Sequence, residues 1–163
     1  MPINTGKVKG RRKLELESLD EVLCECERLA AAPHVKLLGN WSLGQIFFHL
    51  AAALHMSIDG SGHKPPWLIR LLGPIVLKPI VLRGMSAGFR LPEPMQRQLV
   101  ATAPVSTEEG LQQLRKAVRR FREESQRAPH NVFGKLTGAQ WNQLHLRHSE
   151  LHLSFAEDAS DMA

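Results

Sequence analysis

In this chain of 163 residues, four hydroxyl side chains that stand ahead of a helix-spaced apolar run are each followed three positions later by Glu or Gln: Ser18 and Glu21, Ser42 and Gln45, Ser106 and Glu109, Thr137 and Gln140. Each pair has the form of a capping box. The hydroxyl accepts from a free backbone N–H of the first helical turn, and the acid or amide reaches back to the N-cap amide. One such pair is a weak signal. Four, each leading into apolar residues at helical spacing, predict four helices near residues 18–32, 42–58, 106–127 and 137–157. Nothing in the chain reads as a strand, although residues 9–16 alternate briefly and could run extended.

The connection between the second and third helices, residues 59–105, holds most of the prolines. A structureless loop of that length is rare inside a compact domain. Short helices are therefore expected within it, around Trp67–Leu72 and Ile75–Arg83. Gly73–Pro74 and Lys78–Pro79 should break it into pieces, because a residue before proline resists helical geometry. The resulting fold class is all-α: a four-helix bundle with one long crossover between helices 2 and 3. The chain is 43% hydrophobic and 23% charged, so a single globular domain over 1–163 can bury its own core, with residues 1–15 as a basic, extended arm. The apolar crossover, residues 64–92, reads first as packing over one end of the bundle. A lid over an apolar substrate pocket or a homodimer face are sharper alternatives, and weak contact with a membrane surface is the remotest.

The formal net charge of +5 is weak evidence of nucleic-acid binding. The basic residues fall into two groups, Lys7–Lys13 and Arg115–Arg122. Phe121 is the only aromatic residue in either, and Tyr is absent. Single-strand binders need stacking platforms, so no nucleic-acid partner is expected; the basic groups read as a solvated arm and a solvated helix face. Cys24 and Cys26, two apart on a helix, point to different sides and should not bridge each other. That fits a reducing, cytoplasmic setting. No apolar stretch follows the N-terminal basic residues, so no signal peptide is expected. The crossover is interrupted by Arg70, Lys78, Gly73, Pro74 and Pro79, so no stable membrane insertion is expected either.

The chemistry-bearing pattern lies in QWNQLHLRHSELHLSF, where His145, His148 and His152 fall within eight residues. His148 and His152, four apart, stack on one helical face; His145 falls on nearly the same stripe, beside Leu144, Leu151 and Phe155. Imidazoles on a buried stripe are costly unless each nitrogen has a partner. A histidine pair at i, i+4 is a common way for a helix to present two ligands to one metal. The best third ligand is His49, in NWSLGQIFFHLAAALHM, with the small residues Ala52 and Ala53 beside it. His55 points to another face. His34, His63 and His130 fall in loops or at helix ends, where exposure is the default. A hydrogen-bonded core histidine is the plain alternative for His49, and packing is the alternative for His145.

The combination of W-S-x-x-x-x-x-x-H (Trp41–His49) with H-x-x-H-x-x-x-H (His145–His152), preceded by FGKLTGAQW, resembles the DinB-like (YfiT-like) superfamily, in an uncharacterised bacterial branch. The resemblance implies a four-helix bundle with one long crossover, and a metal site formed by His49, His148 and His152. Three neutral imidazoles would leave a divalent ion with open positions for water or a thiolate; Zn, Ni, Fe and Mn all suit such ligands. His145 would then be an acid/base residue at the site, or a packed residue one turn from the ion. The superfamily contains metal-dependent hydrolases and thiol-dependent transferases or isomerases that use low-molecular-weight thiols such as mycothiol or bacillithiol. The resemblance thus implies a metal-dependent enzyme on a small-molecule substrate, S-transferase-like. The alternative is a non-catalytic bundle, a dimeric ligand-binding or stress-associated protein with a degenerate site. Glu150 and Asp59 lie near the histidines in sequence, but neither is identified as the group that orients a ligating imidazole.

Overall fold

The computed structural model describes residues 2–88 and 92–159; residues 89–91 of the apolar crossover lie outside them. The protein is all-α, with one small sheet. In chain order the elements are α1 (Leu19–Ala31), β1 (Val35–Leu37), α2 (Leu43–Asp59), α3 (Trp67–Leu72), α4 (Lys78–Arg83), α5 (Glu93–Leu99), α6 (Thr107–Glu123), α7 (Gly138–Leu153) and β2 (Ala156–Asp158). All four hydroxyl residues that predicted a helix start are N-caps. Ser42 and Thr137 complete both halves of the box. Their hydroxyls accept from the amides of Gln45 and Gln140 at 3.2 Å, and those glutamines accept from the cap amides at 2.9 and 3.0 Å. Ser18 and Ser106 make the first half only. The Glu21 carboxylate accepts instead from Glu17 N, one residue earlier, at 2.8 Å.

The last two helices end earlier than their periodicity suggests. α6 stops at Glu123, and α7 gives way at Ser154 to β2, which pairs antiparallel with β1 in the register Val35↔Asp158 and Leu37↔Ala156. The reading that the chain has no strand is corrected here. Strands of three residues are too short to show a period of two. Residues 9–16, which could have run extended, form no strand. They are tied down by Arg12, which donates to Ala156 O (2.7 Å) and Leu153 O (3.2 Å) and pairs with Glu25 (2.6 Å). Arg11 donates to the Ser154 hydroxyl at 3.0 Å. Two cations of the N-terminal basic group are therefore structural ties, not solvated ones.

The long helices α1, α2, α6 and α7 share one core, in which Phe47, Leu29, Leu114 and Leu153 are among the most deeply buried side chains. α2 and α6 approach most closely through Gly44 and Gly110. A Cβ on Gly110 would stand 2.4 Å from Gly44 O, and one on Gly44 would stand 2.3 Å from Val105 O. Both gaps are closed by backbone, which cannot move aside. On the outer face of α6, Arg115 pairs with Glu27, Arg120 with Asp59 and Glu124, and Arg122 with Asp20. Cys24 is exposed and Cys26 buried, and both are free thiols. Among the described residues no helix is long and apolar enough to cross a membrane.

The crossover differs from expectation in two ways. First, Gly73–Pro74 and Lys78–Pro79 do not break it. α3 and α4 are joined without interruption by a π-turn over Gly73–Leu77, in which Lys78 N–H donates to Gly73 O, five residues back. A proline ring in a helix collides with the carbonyl four residues back, and the wider π-turn relieves that collision. Second, the crossover does not bury its apolar side chains over the core. Its contacts with the rest of the molecule run mainly through Gly73, where a Cβ would meet Val132 Cγ1 at 2.5 Å, through Val81 and Leu82, and through Gln143, which donates to Leu82 O at 2.9 Å. A third short helix, α5, was not expected. It buries Leu99 and packs on α2.

Candidate metal centre

His49 sits two turns inside α2 and is buried; His148 and His152 sit on the third and fourth turns of α7 and are half-buried. The capped starts of both helices fix where these turns fall, so the site stands on rigid elements. One ring nitrogen from each of the three lies within 4.8 Å of the others. The ring centroids are 4.4 Å apart for His49 and His152, 4.6 Å for His148 and His152, and 4.9 Å for His49 and His148. The group could hold a metal ion.

The tautomer of His49 follows from its neighbours. Its Nδ1 lies 2.9 Å from Leu99 O. A carbonyl only accepts, so Nδ1 carries the proton and Nε2 offers its lone pair. That lone pair faces His148 Nε2 at 3.0 Å, so without an ion His148 donates its Nε2–H to His49. The Nδ1–H···O=C bond is the arrangement that orients a ligating imidazole. Two nitrogens about 2.0–2.1 Å from one tetrahedral zinc ion stand about 3.3 Å apart. The His49–His148 pair already lies at such a spacing, and the third nitrogen has to close by at most about 1.5 Å. The donor set therefore fits a divalent ion.

Burial lowers the basicity of all three rings. For His49, loss of solvation pushes the pKa down, opposed by the bond to Leu99 O. For His148 and His152 the pKa falls well below its ordinary value, again through burial first and then through the neighbouring histidines. The group is thus neutral at pH 7, each ring keeping one lone pair. Trp41, just before the cap of α2, walls the site: its ring stacks on His152 (5.3 Å, 12°) and leans on His49 (4.8 Å, 48°).

His145 is not brought to this group. It is buried between Trp141 (5.6 Å, 19°) and Phe121 (5.0 Å, 84°), on the side of α7 that meets α6. Loss of solvation, with Arg127 and His130 nearby, drives its pKa down to about 3. Its Nε2 has no hydrogen-bond partner among the described residues. Of its two expected roles, these surroundings fit packing. His130 is also not the exposed loop histidine expected. It stacks on Phe133 at 4.3 Å, its Nδ1 accepts from the amides of Val132 and Phe133, and burial holds its pKa at about 4. His34 is exposed and His63 half-buried, and neither belongs to the group. His55 lies 3.1 Å from Arg120 and lines a cleft of 360 Å³ with Phe48, Ala52, Met56 and Gln98, on the face of α2 next to that of His49. Asp59 and Glu150 are engaged elsewhere, with Arg120 and with Arg147 and Leu16 N respectively.

Two contributors escaped sequence reasoning. The Leu99 carbonyl has no signature of its own, but α5 carries one: Pro92 and Pro94 around Glu93, proline in a first helical turn. Trp41 stands eight residues before His49 in the W-S-x-x-x-x-x-x-H stretch, but it precedes the cap of α2, so no helical phase reports its contact with the histidines.

A family model described as Protein of unknown function (DUF1569) matches residues 8–159. The chain belongs to this family. No curated protein and no solved structure matches the chain. The stretch matched to DUF1569 takes in α2, α5 and α7, and so every residue of the histidine group, its wall and its orienting carbonyl.

Proposed function

We propose that this DUF1569 protein is a metal-dependent enzyme acting on a small molecule, with His49, His148 and His152 as the ligands of one divalent ion. We read its four long helices and connecting segment as a four-helix bundle with one long crossover, of the DinB-like kind. The observation that carries the proposal is the Nδ1–H of His49 held on Leu99 O, which aims the other nitrogen at the two histidines of α7. A buried imidazole needs a partner for its N–H in any case; what supports a ligand role is that this bond leaves Nε2 facing two further histidines.

A bound ion would supply Lewis acidity, favouring the deprotonated form of a water or thiol on its open side. The chain does the rest. Leu99 O fixes the tautomer and plane of His49. Trp41 covers one side of the His152 ring and keeps solvent from it. Burial holds the three rings neutral. The half-buried edges of His148 and His152 leave a way in from solvent, and the cleft beside His55 offers room for a substrate on the neighbouring face of α2. Within this reading the leading reaction class is thiol-dependent S-transfer, with a low-molecular-weight thiol as co-substrate, and metal-dependent hydrolysis is the next. One observation favours the non-catalytic alternative: the His148-to-His49 hydrogen bond satisfies two of the nitrogens without any ion.

Elemental analysis by mass spectrometry on untagged protein tests the proposal, with wild type and His148→Ala side by side. About one ion per chain, lost in the variant, is the expected result. No ion in either, after incubation with Zn, Ni, Fe and Mn in turn, refutes it.

A further inference from the structure

The crossover leaves most of the apolar side chains of its helical run 67–80 in solvent. Trp67 is 73% exposed, Leu71 58%, Ile75 73% and Ile80 58%. They stand on the continuous helical run of α3, the π-turn and α4, about 25 Å long at the usual rise. Trp67 and Leu71 are four apart and share one stripe, as do Leu68 and Leu72. A patch of this kind on a folded protein marks an interaction surface. The run does not span a membrane, being too short and interrupted by charge.

The charge pattern decides what covers it. Between Asp59 and Glu93 the sequence has Lys64, Arg70, Lys78, Arg83 and Arg90, and no acidic residue. Lys64, Arg70 and Arg83 are exposed, and none of them has a carboxylate partner among the described residues. The fold adds two more cations. The N-terminal arm runs against the end of the crossover, where a Cβ on Gly88 would lie 3.0 Å from Gly6 Cα, and this brings the exposed Lys7 and Lys9 to the same region. A second copy of the chain would set these cations against themselves, and like charges across an interface are strongly unfavourable. An apolar sheet of acyl chains beneath anionic headgroups suits both halves of the pattern. Tryptophan and leucine enter at the headgroup level, and lysine and arginine stems run alongside them with their heads at the phosphates.

We infer that the helical run 67–83 docks the protein reversibly on an anionic lipid surface. The apolar side chains enter the interface, and Lys64, Arg70 and Arg83, with Lys7 and Lys9, face the headgroups. This surface is separate from the histidine group and stands whether or not that group holds an ion.

The test is flotation with vesicles of phosphatidylcholine alone or mixed with phosphatidylglycerol, with sedimentation equilibrium run in parallel. The variant is Leu71→Glu/Ile75→Glu; both positions are exposed, so the core is untouched, and circular dichroism and metal content check its fold. Wild type should float with the mixed vesicles and not with pure phosphatidylcholine. Each basic side chain that reaches the surface should contribute about fivefold to the preference. High salt should weaken the binding, and the double variant should abolish it. Brominated lipid should quench wild-type fluorescence, and Trp67→Phe should remove that quenching. Failure of wild type to float overturns the inference, and so does undiminished flotation of the double variant. A wild-type dimer that the double variant splits, without flotation, also overturns it and assigns the face to self-association.

Discussion

Acidification should destabilise this protein through a residue that takes no part in the proposed chemistry. His145 is 5% exposed, stacked between Trp141 and Phe121, and its folded pKa is about 3. In the unfolded chain an imidazole titrates near about 6.5. Below that pH the unfolded chain holds a proton at this position that the folded chain refuses. Stability is therefore intact above about 6.5, falls as the pH drops, and stops falling only near the folded value. Each pH unit is worth about 1.4 kcal/mol, so at about pH 4.5 the loss from His145 is about 2.7 kcal/mol. A domain of this size has about 5–15 kcal/mol in all. The assay is guanidinium denaturation at several pH values between 7 and 4.5, with chelator present so that no ion contributes. Wild type is compared with His145→Leu, and the slope with pH is read, not the absolute stability. With a denaturant dependence of about 3 kcal/mol per molar, His145 alone should move the wild-type midpoint by about 0.9 M over this range. The other buried histidines and the carboxylates move both proteins alike. A midpoint that falls as steeply in His145→Leu as in wild type refutes the account.

Gly110→Ala should destabilise. Alanine gains about 1 kcal/mol of helix propensity, but its Cβ would stand 2.4 Å from Gly44 O, and forcing two backbones apart costs about 1–3 kcal/mol or more; a raised denaturation midpoint would count against this. Trp41→Ala should lower the retention of a bound ion against a chelator without changing the fold, since it removes the ring stacked on His152; unchanged retention would show that Trp41 only packs. Arg12→Met should cost about 1–3 kcal/mol and speed amide exchange in β2, because Arg12 holds Ala156 O, Leu153 O and Glu25 together; unchanged exchange would show that the arm is not a tie.

The parts of the fold that were legible in sequence are those written locally. A capping residue acts on amides two or three positions away, so Ser18, Ser42, Ser106 and Thr137 disclosed four helix starts to within a residue. The helix ends were less legible, since α6 and α7 stop where tertiary partners claim the chain: Ala128 N–H donates to Ser57 O, and residues 156–158 pair with β1. The i, i+4 pair His148 and His152 and the mid-helix His49 were legible for the same local reason. They share turns of single helices that start at known places.

His145 shows where that reasoning stops. On a helical wheel it falls almost in line with His152, yet α7 is long enough to meet different neighbours at its two ends. At His145 the neighbour is Phe121 of α6; at His148 and His152 it is His49 of α2. Periodicity reports the face of a helix and is silent about what that face meets at each level. The Leu99 carbonyl lies further still from what sequence can report, because every residue has a carbonyl and only the fold chooses one. The choice is made by the crossover. It is anchored at Gly73 on Val132, at Leu82 on Gln143 of α7 and at Leu99 on His49 of α2. The last two anchors fall on the two helices that carry the histidines. The long connection between α2 and α6 is therefore also what fixes the tautomer of His49, through Leu99 at the end of α5.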